Sequence, residues 1–142
     1  MPEAELIPTG RFEWEKIIRR VVFPSNQRSI KLVAMMLASF ADSRTGANAR
    51  PGEARLAAMC QLGKSTVRAS LKWLREEGLI YRVSHGSNLG QTNLVDVYQL
   101  CAPSDWESRF PLLPSHGKDS GGLIVRPRRA NPNRVATTTA NQ

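Results

Sequence analysis

The chain has 142 residues, 41% of them hydrophobic, with 20 Lys+Arg against 12 Asp+Glu and a formal charge of +8. That length supports one domain with a modest core and tails; the arginine surplus points to a polyanionic partner, a basic surface kept for solubility being the alternative. The longest apolar run, LVAMMLA at 32–38, is too short to cross a bilayer, and the acidic, proline-bearing start MPEAELIPTG lacks the flank and apolar stretch of a signal peptide.

Residues 1–9 read as a mobile arm. The segment 11–23 follows, with apolar residues at 14, 17, 18 and 21, the stripe of an amphipathic helix, and Pro24 forces its end. Ser25 and Asn26 are caps for a second helix reaching Asp42. There Ile30, Val33, Ala34, Leu37 and Ala41 make one face, and Leu32, Met36 and Phe40 a second. A helix apolar nearly all round is a central core helix or, alternatively, a face for a second copy of the chain, so a homodimer through residues 26–42 is the self-association to expect. SRTGANARPG is a turn region. Residues 53–60 form a short third helix, and after a break at QLG a fourth runs from 64 to 77 with Val67, Leu71 and Leu74 inward. Gly78 is a natural helix stop. Leu79–Val83 and 94–100 read as two strands joined by a polar loop, 84–93. SDWESRF adds a short helix capped by Ser104, with Trp106 and Phe110 packing back. The domain is bounded at 10–110, and residues 111–142 read as a disordered basic tail. The expected fold is mainly α with a small β-hairpin.

Cys60 and Cys101 are far apart without metal-ligand spacing, which excludes a disulfide framework and favours a reduced, cytoplasmic setting with both thiols buried. QLGKST at 61–66 ends like a phosphate-binding loop of the form G-x-x-x-x-G-K-[ST]. The leading glycine should be residue 58, which is Ala58, and the segment before it, EARLAAMC, is a helix former rather than a buried strand. GKST therefore has a different use. Two helices separated by about three residues have helix-turn-helix spacing, and Gly63-Lys64 opens the second, whose first residues point into a major groove.

At RPGEARLAAMCQLGKSTVRASLKWLREEGLI, residues 50–80, the chain resembles the winged helix-turn-helix cores of bacterial, phage and plasmid DNA-binding proteins. The likeness is carried by the Leu56-Ala57 pair, the run Ser65-Thr66-Val67-Arg68, the Leu71/Leu74 pair and the exit Gly78-Leu79-Ile80. It extends to the DNA-binding modules of GntR-type regulators and of some plasmid replication initiators. The resemblance implies an order of three helices, a tight turn, a fourth helix and a β-wing, with duplex binding, often as a dimer. The chain departs from the pattern at Gln61, where the turn usually has glycine, and at Gly63 and Gly52, where serine usually caps.

The outward positions of the fourth helix are Lys64, Ser65, Arg68, Ala69 and Lys72. Arg68 is the candidate base reader, since its fork can donate twice to guanine. Lys64 and Lys72 suit phosphates, Ser65 and Thr66 offer hydroxyls, and Ala69 admits a thymine methyl. Arg50 and Arg55 flank the third helix as phosphate contacts. In the wing, Arg82, His85, Asn88, Gln91 and Asn93 are candidates for the minor groove or backbone. The tail arginines either add nonspecific grip or stay free. Trp73 reads as cover for the hairpin, and His85 has no paired ligand spacing for a metal. No paired carboxylates or nucleophile–base set is visible, so an enzyme, a cofactor and a small-molecule ligand are not expected. The readings in order are a small, nucleoid-associated transcriptional regulator, a plasmid or phage replication protein, and a winged-helix interaction scaffold.

Overall fold

The computed structural model describes residues 4–86 and 95–114. In chain order these form β1 (Leu6–Pro8), α1 (Arg11–Arg20), α2 (Ser29–Ala38), α3 (Glu53–Cys60), α4 (Lys64–Glu76), β2 (Ile80–Ser84), β3 (Val97–Pro103) and α5 (Trp106–Arg109). The result is a mixed arrangement of helices around a three-stranded antiparallel sheet in the order β1-β3-β2.

Helical periodicity decides what goes inside. In α1 the positions Trp14 and Ile18 are fully buried, and Val21 follows one turn on. In α2 the face Ile30, Val33, Ala34 and Leu37 is buried, and the helix packs against α1, α3 and α4. It is therefore the central core helix, with Leu32 left 41% exposed on its outer side. Small residues at Ala34, Ala38 and, on α4, the buried Ser70 suit close helix approach. The Ser70 hydroxyl is satisfied by donating to the Thr66 carbonyl at 2.9 Å.

Strand β3 organises the sheet. It pairs with β2 in the register Ile80↔Leu100, Tyr81↔Gln99 and Arg82↔Tyr98, with a bulge before Ser84↔Val97. On its other side the loop after α2 contributes Ala49, which exchanges two backbone hydrogen bonds with Tyr98 at 3.0 and 2.8 Å. Trp14 ties the helices to this sheet: its buried indole N–H donates to the carbonyls of both Leu79 and Cys101, each at 2.9 Å.

Several boundaries differ from the sequence reading. The first nine residues are not simply an arm, because Leu6–Pro8 pairs with Pro103–Cys101. Pro8 is acceptable there since β1 is an edge strand, and the partner lies over ninety residues downstream, beyond any local pattern. The packed structure also continues past 110: Leu112 is buried and bridges Val21, and the Leu113 N–H donates to the Arg20 carbonyl at 2.7 Å. Residues 25–27 form a 3-10 turn instead of a Ser25 or Asn26 side-chain cap, and α2 gives way after Ala38 to i→i−3 bonds at Phe40 and Ala41. No side-chain cap comes from Ser104; its N–H donates to the Glu5 carbonyl instead. The second strand of the hairpin starts at Val97 instead of 94. Trp73 packs among aromatic rings: it lies 5.3 Å from Phe23, edge to face, and 6.5 Å from Phe110.

Both thiols are buried. Burial pushes Cys101 up to about 12 and raises Cys60, so each acts as a small apolar side chain.

The α3–α4 turn shows what replaces the missing glycine. Gln61 itself adopts the left-handed conformation (φ 58, ψ 45). The Leu62 N–H reaches the Ala57 carbonyl at 3.0 Å and the Gln61 N–H the Ala58 carbonyl at 3.3 Å, the paired bonds of a Schellman stop. A non-glycine residue there costs roughly 1–2 kcal/mol, partly offset because glycine orders less cheaply. Gln61→Gly is therefore expected to stabilise the fold by about 0.5–1 kcal/mol, read as a raised urea midpoint with unchanged slope; a lowered midpoint would contradict this account of the turn. At Gly52 the departure from a serine cap has a backbone cause. Its φ of 83 and ψ of 155 lie in a region open essentially to glycine alone.

Candidate nucleic-acid interface

α4 begins without a side-chain cap. Gly63 is extended (φ −70, ψ 155), and a Cβ built on it would meet nothing within 4 Å. Among the described residues the first-turn N–H groups thus have no side-chain acceptor. Such a helix start favours an anion through its unpaired donors and its dipole.

Val67, Ser70, Leu71 and Leu74 turn inward, which leaves Lys64, Ser65, Thr66, Arg68, Ala69 and Lys72 all exposed. At 100° per residue, Ser65, Arg68, Ala69 and Lys72 form the crest of the helix. A depression lies on each flank. One, a cleft of about 370 Å³, is lined by Gly52 and Glu53 at the start of α3, by Lys64, and by His85 and Asp96 at the base of the hairpin. The other, about 250 Å³, runs between Asn26, Gln27 and Ser29 on one wall and Ser65, Thr66 and Ala69 on the other. The N-terminal half of α4 is thus a ridge between two grooves.

The cations on this face are not equivalent. Arg68 donates from Nε (3.2 Å) and Nη2 (3.0 Å) to Oε1 of Glu53 on α3. Lys72 lies 3.9 Å from Glu76, one turn along α4. The Lys72–Glu76 pair is exposed on both sides, so its attraction is screened and small, whereas Arg68 makes two hydrogen bonds to a carboxylate that is only one-third exposed. Among the described residues Lys64, Arg50 and Arg55 have no carboxylate within ion-pair distance, and all three are exposed.

Arg82 and His85 meet at Asp96. Its carboxylate accepts from Arg82 Nη1 at 3.3 Å, the Gly86 N–H at 2.7 Å and the Tyr98 hydroxyl at 3.2 Å; His85 Nδ1 lies 3.1 Å away. Partial burial pushes the Asp96 carboxyl upward, but the hydrogen bonds from Gly86, Arg82 and Tyr98 and the charge of His85 outweigh it and hold it below the ordinary carboxylate value. Asp96 therefore stays ionised at neutral pH and pins the two ends of the loop together. Arg82 is only one-third exposed as a result, a support of the hairpin base more than an outstretched contact. Asn88, Gln91 and Asn93 lie outside the described residues, as does the arginine-rich stretch beyond 114.

Sequence reasoning missed Glu53 and Asp96. Asp96 carried a faint signal: in VDVY it shares a strand face with Tyr98, the cross-strand partner of Arg82, so a charge pair follows once the register is known. Glu53 is fifteen residues from Arg68 and gave no local sign.

Among the described residues no group of three or more His, Cys, Asp or Glu is placed to hold a metal, and no helix is long and apolar enough to cross a membrane. No protein-family model matches the chain, and neither the curated proteins nor the solved structures give a match.

Proposed function

We propose that this chain is a sequence-specific double-stranded DNA-binding protein of the winged helix-turn-helix type, acting as a small transcriptional regulator. α4 enters the major groove and the β2–β3 hairpin lies alongside. The observation that carries this reading is the exposed cationic ridge of α4 between two grooves. A major groove about 12 Å wide admits one helix, and the two phosphate strands that border it then run along the helix flanks. Lys64 stands on one flank and the α2 start at Asn26–Ser29 borders the other. Supporting features are the uncapped start of α4, the Ala49–β3–β2 pairing that holds the hairpin next to it, and the +8 charge.

In this arrangement Arg68 reads a base while Lys64, Lys72, Arg50 and Arg55 hold phosphates. A self-associating copy would use the outer face of α2 at Leu32, since its inner face is filled by the core. The test is selection of bound fragments from a duplex library. Wild type should enrich a defined sequence. Arg68→Ala should lose roughly 1–3 kcal/mol of discrimination at one base pair, whereas Lys72→Ala should weaken all sequences alike. No enriched sequence with wild type would reject the reading. Mapping the enriched sites to promoters or to iterated origins separates a regulator from a replication protein.

A further inference from the structure

Two observations about Arg68 pull against each other. Its position on the crest of α4 suits contact with DNA, yet Glu53 stands beside it and would repel any phosphate that approaches. Surface arginines near a duplex ordinarily settle on the backbone, because phosphate charge attracts them at every sequence. A carboxylate at 3.0 Å changes that balance.

We propose that Glu53 is a specificity-determining positioning residue, which makes Arg68 a guanine reader instead of a phosphate clamp. This rests on the DNA-binding reading and deepens it. Glu53 Oε1 takes one hydrogen each from Nε and Nη2 of Arg68, so the side edge of the guanidinium is occupied. The end edge, with one hydrogen of Nη1 and the second hydrogen of Nη2, has no partner among the described residues. Two parallel donors on that edge match guanine O6 and N7. Glu53 opens α3, directly after Gly52, whose glycine-only conformation fixes where the helix starts. The aim of the arginine is thus set by the backbone of a different helix. Glu53 has a side chain 34% exposed against 61% for Arg68, so the carboxylate is the better fixed member and the arginine the one that reaches outward. It also lines the 370 Å³ cleft on the flank of α4, where its charge discourages a phosphate from displacing the pair. Base edges carry no net charge and are not repelled.

The test combines library selection with salt titration on the full chain, comparing wild type, Glu53→Ala, Glu53→Gln, Arg68→Ala and the double variant Glu53→Ala/Arg68→Ala. Wild type is expected to prefer guanine at the Arg68-dependent position by about tenfold or more. In Glu53→Ala that preference should fall to the Arg68→Ala level, while affinity for random duplex rises. Its slope of log affinity on log salt should steepen by about 0.9, the signature of one added phosphate contact. Glu53→Gln, which keeps an acceptor oxygen but not the charge, should retain part of the preference. In the double variant the added phosphate contact should vanish, because the arginine that makes it is gone. Damage to the fold would lower affinity and flatten the slope, so a steeper slope separates positioning from a structural defect. Wild-type preference and slope in Glu53→Ala would overturn the role of Glu53 and leave DNA binding standing. Wild type that selects no sequence would remove the DNA reading, and this inference with it.

Discussion

Trp14→Ala is expected to cost about 3–5 kcal/mol, the range for deleting a large buried aromatic, which is a large share of the roughly 5–15 kcal/mol that holds a domain together. Trp14 is fully buried. Its ring fills the space between α1 and the sheet, and its N–H is shared by carbonyls on both sides of the hairpin junction, Leu79 and Cys101. Alanine would leave a cavity in the middle of the core and remove the shared donor at once. Trp14→Phe separates the two effects. It keeps most of the apolar volume and should cost about 1–3 kcal/mol for the carbonyls it leaves under-satisfied. Leu79 would keep the Cys101 N–H at 3.1 Å, which argues for the lower half of that range. Urea unfolding followed by far-ultraviolet circular dichroism measures both. A phenylalanine variant as stable as wild type would show that the shared hydrogen bond contributes nothing.

Trp14 also marks where the sequence was readable and where it was not. Its burial followed from spacing alone, since 14, 17, 18 and 21 recur at helical intervals. The same reasoning gave the core face of α2 and, to the residue, the limits Glu53–Cys60 of α3 and the start of α4 at Lys64. Those segments are bounded by Pro51-Gly52, QLG and Gly78, whose backbone preferences are local. What the indole N–H bonds to was not readable, because Leu79 and Cys101 lie 65 and 87 residues away. β1 was hidden for the same reason: LIP has no alternation, and only the exposed edge of β3 gives it a place. At the interface, exposure of Lys64, Arg68 and Lys72 followed from the inward set Val67, Leu71 and Leu74. Their partners did not, since Glu53 belongs to another helix and Asp96 to the far strand. Periodicity tells which way a side chain points; it does not tell what another element brings to meet it.

That limit bears on the second large effect, the salt response expected of affinity under the proposed DNA-binding reading. Lys64, Arg50 and Arg55 are exposed without a carboxylate partner among the described residues, and Lys72 has only the loose Glu76 contact at 3.9 Å. If each neutralises one phosphate, log affinity falls with log salt at a slope of about −3.6, so raising salt from about 50 to about 200 mM should weaken binding about 150-fold. Arg68, paired with Glu53, and Arg82, paired with Asp96, are expected to add little to this slope. Lys64→Gln/Lys72→Gln should therefore halve the dependence, to a slope of about −1.8 and a loss of about 12-fold over the same range. Fluorescence anisotropy with a labelled duplex reads both slopes directly. Because both altered side chains lie on the surface, circular dichroism should show the double variant folded as wild type. A double variant with an undiminished slope would mean that the phosphates are met elsewhere, and α4 would not be the helix that faces the duplex.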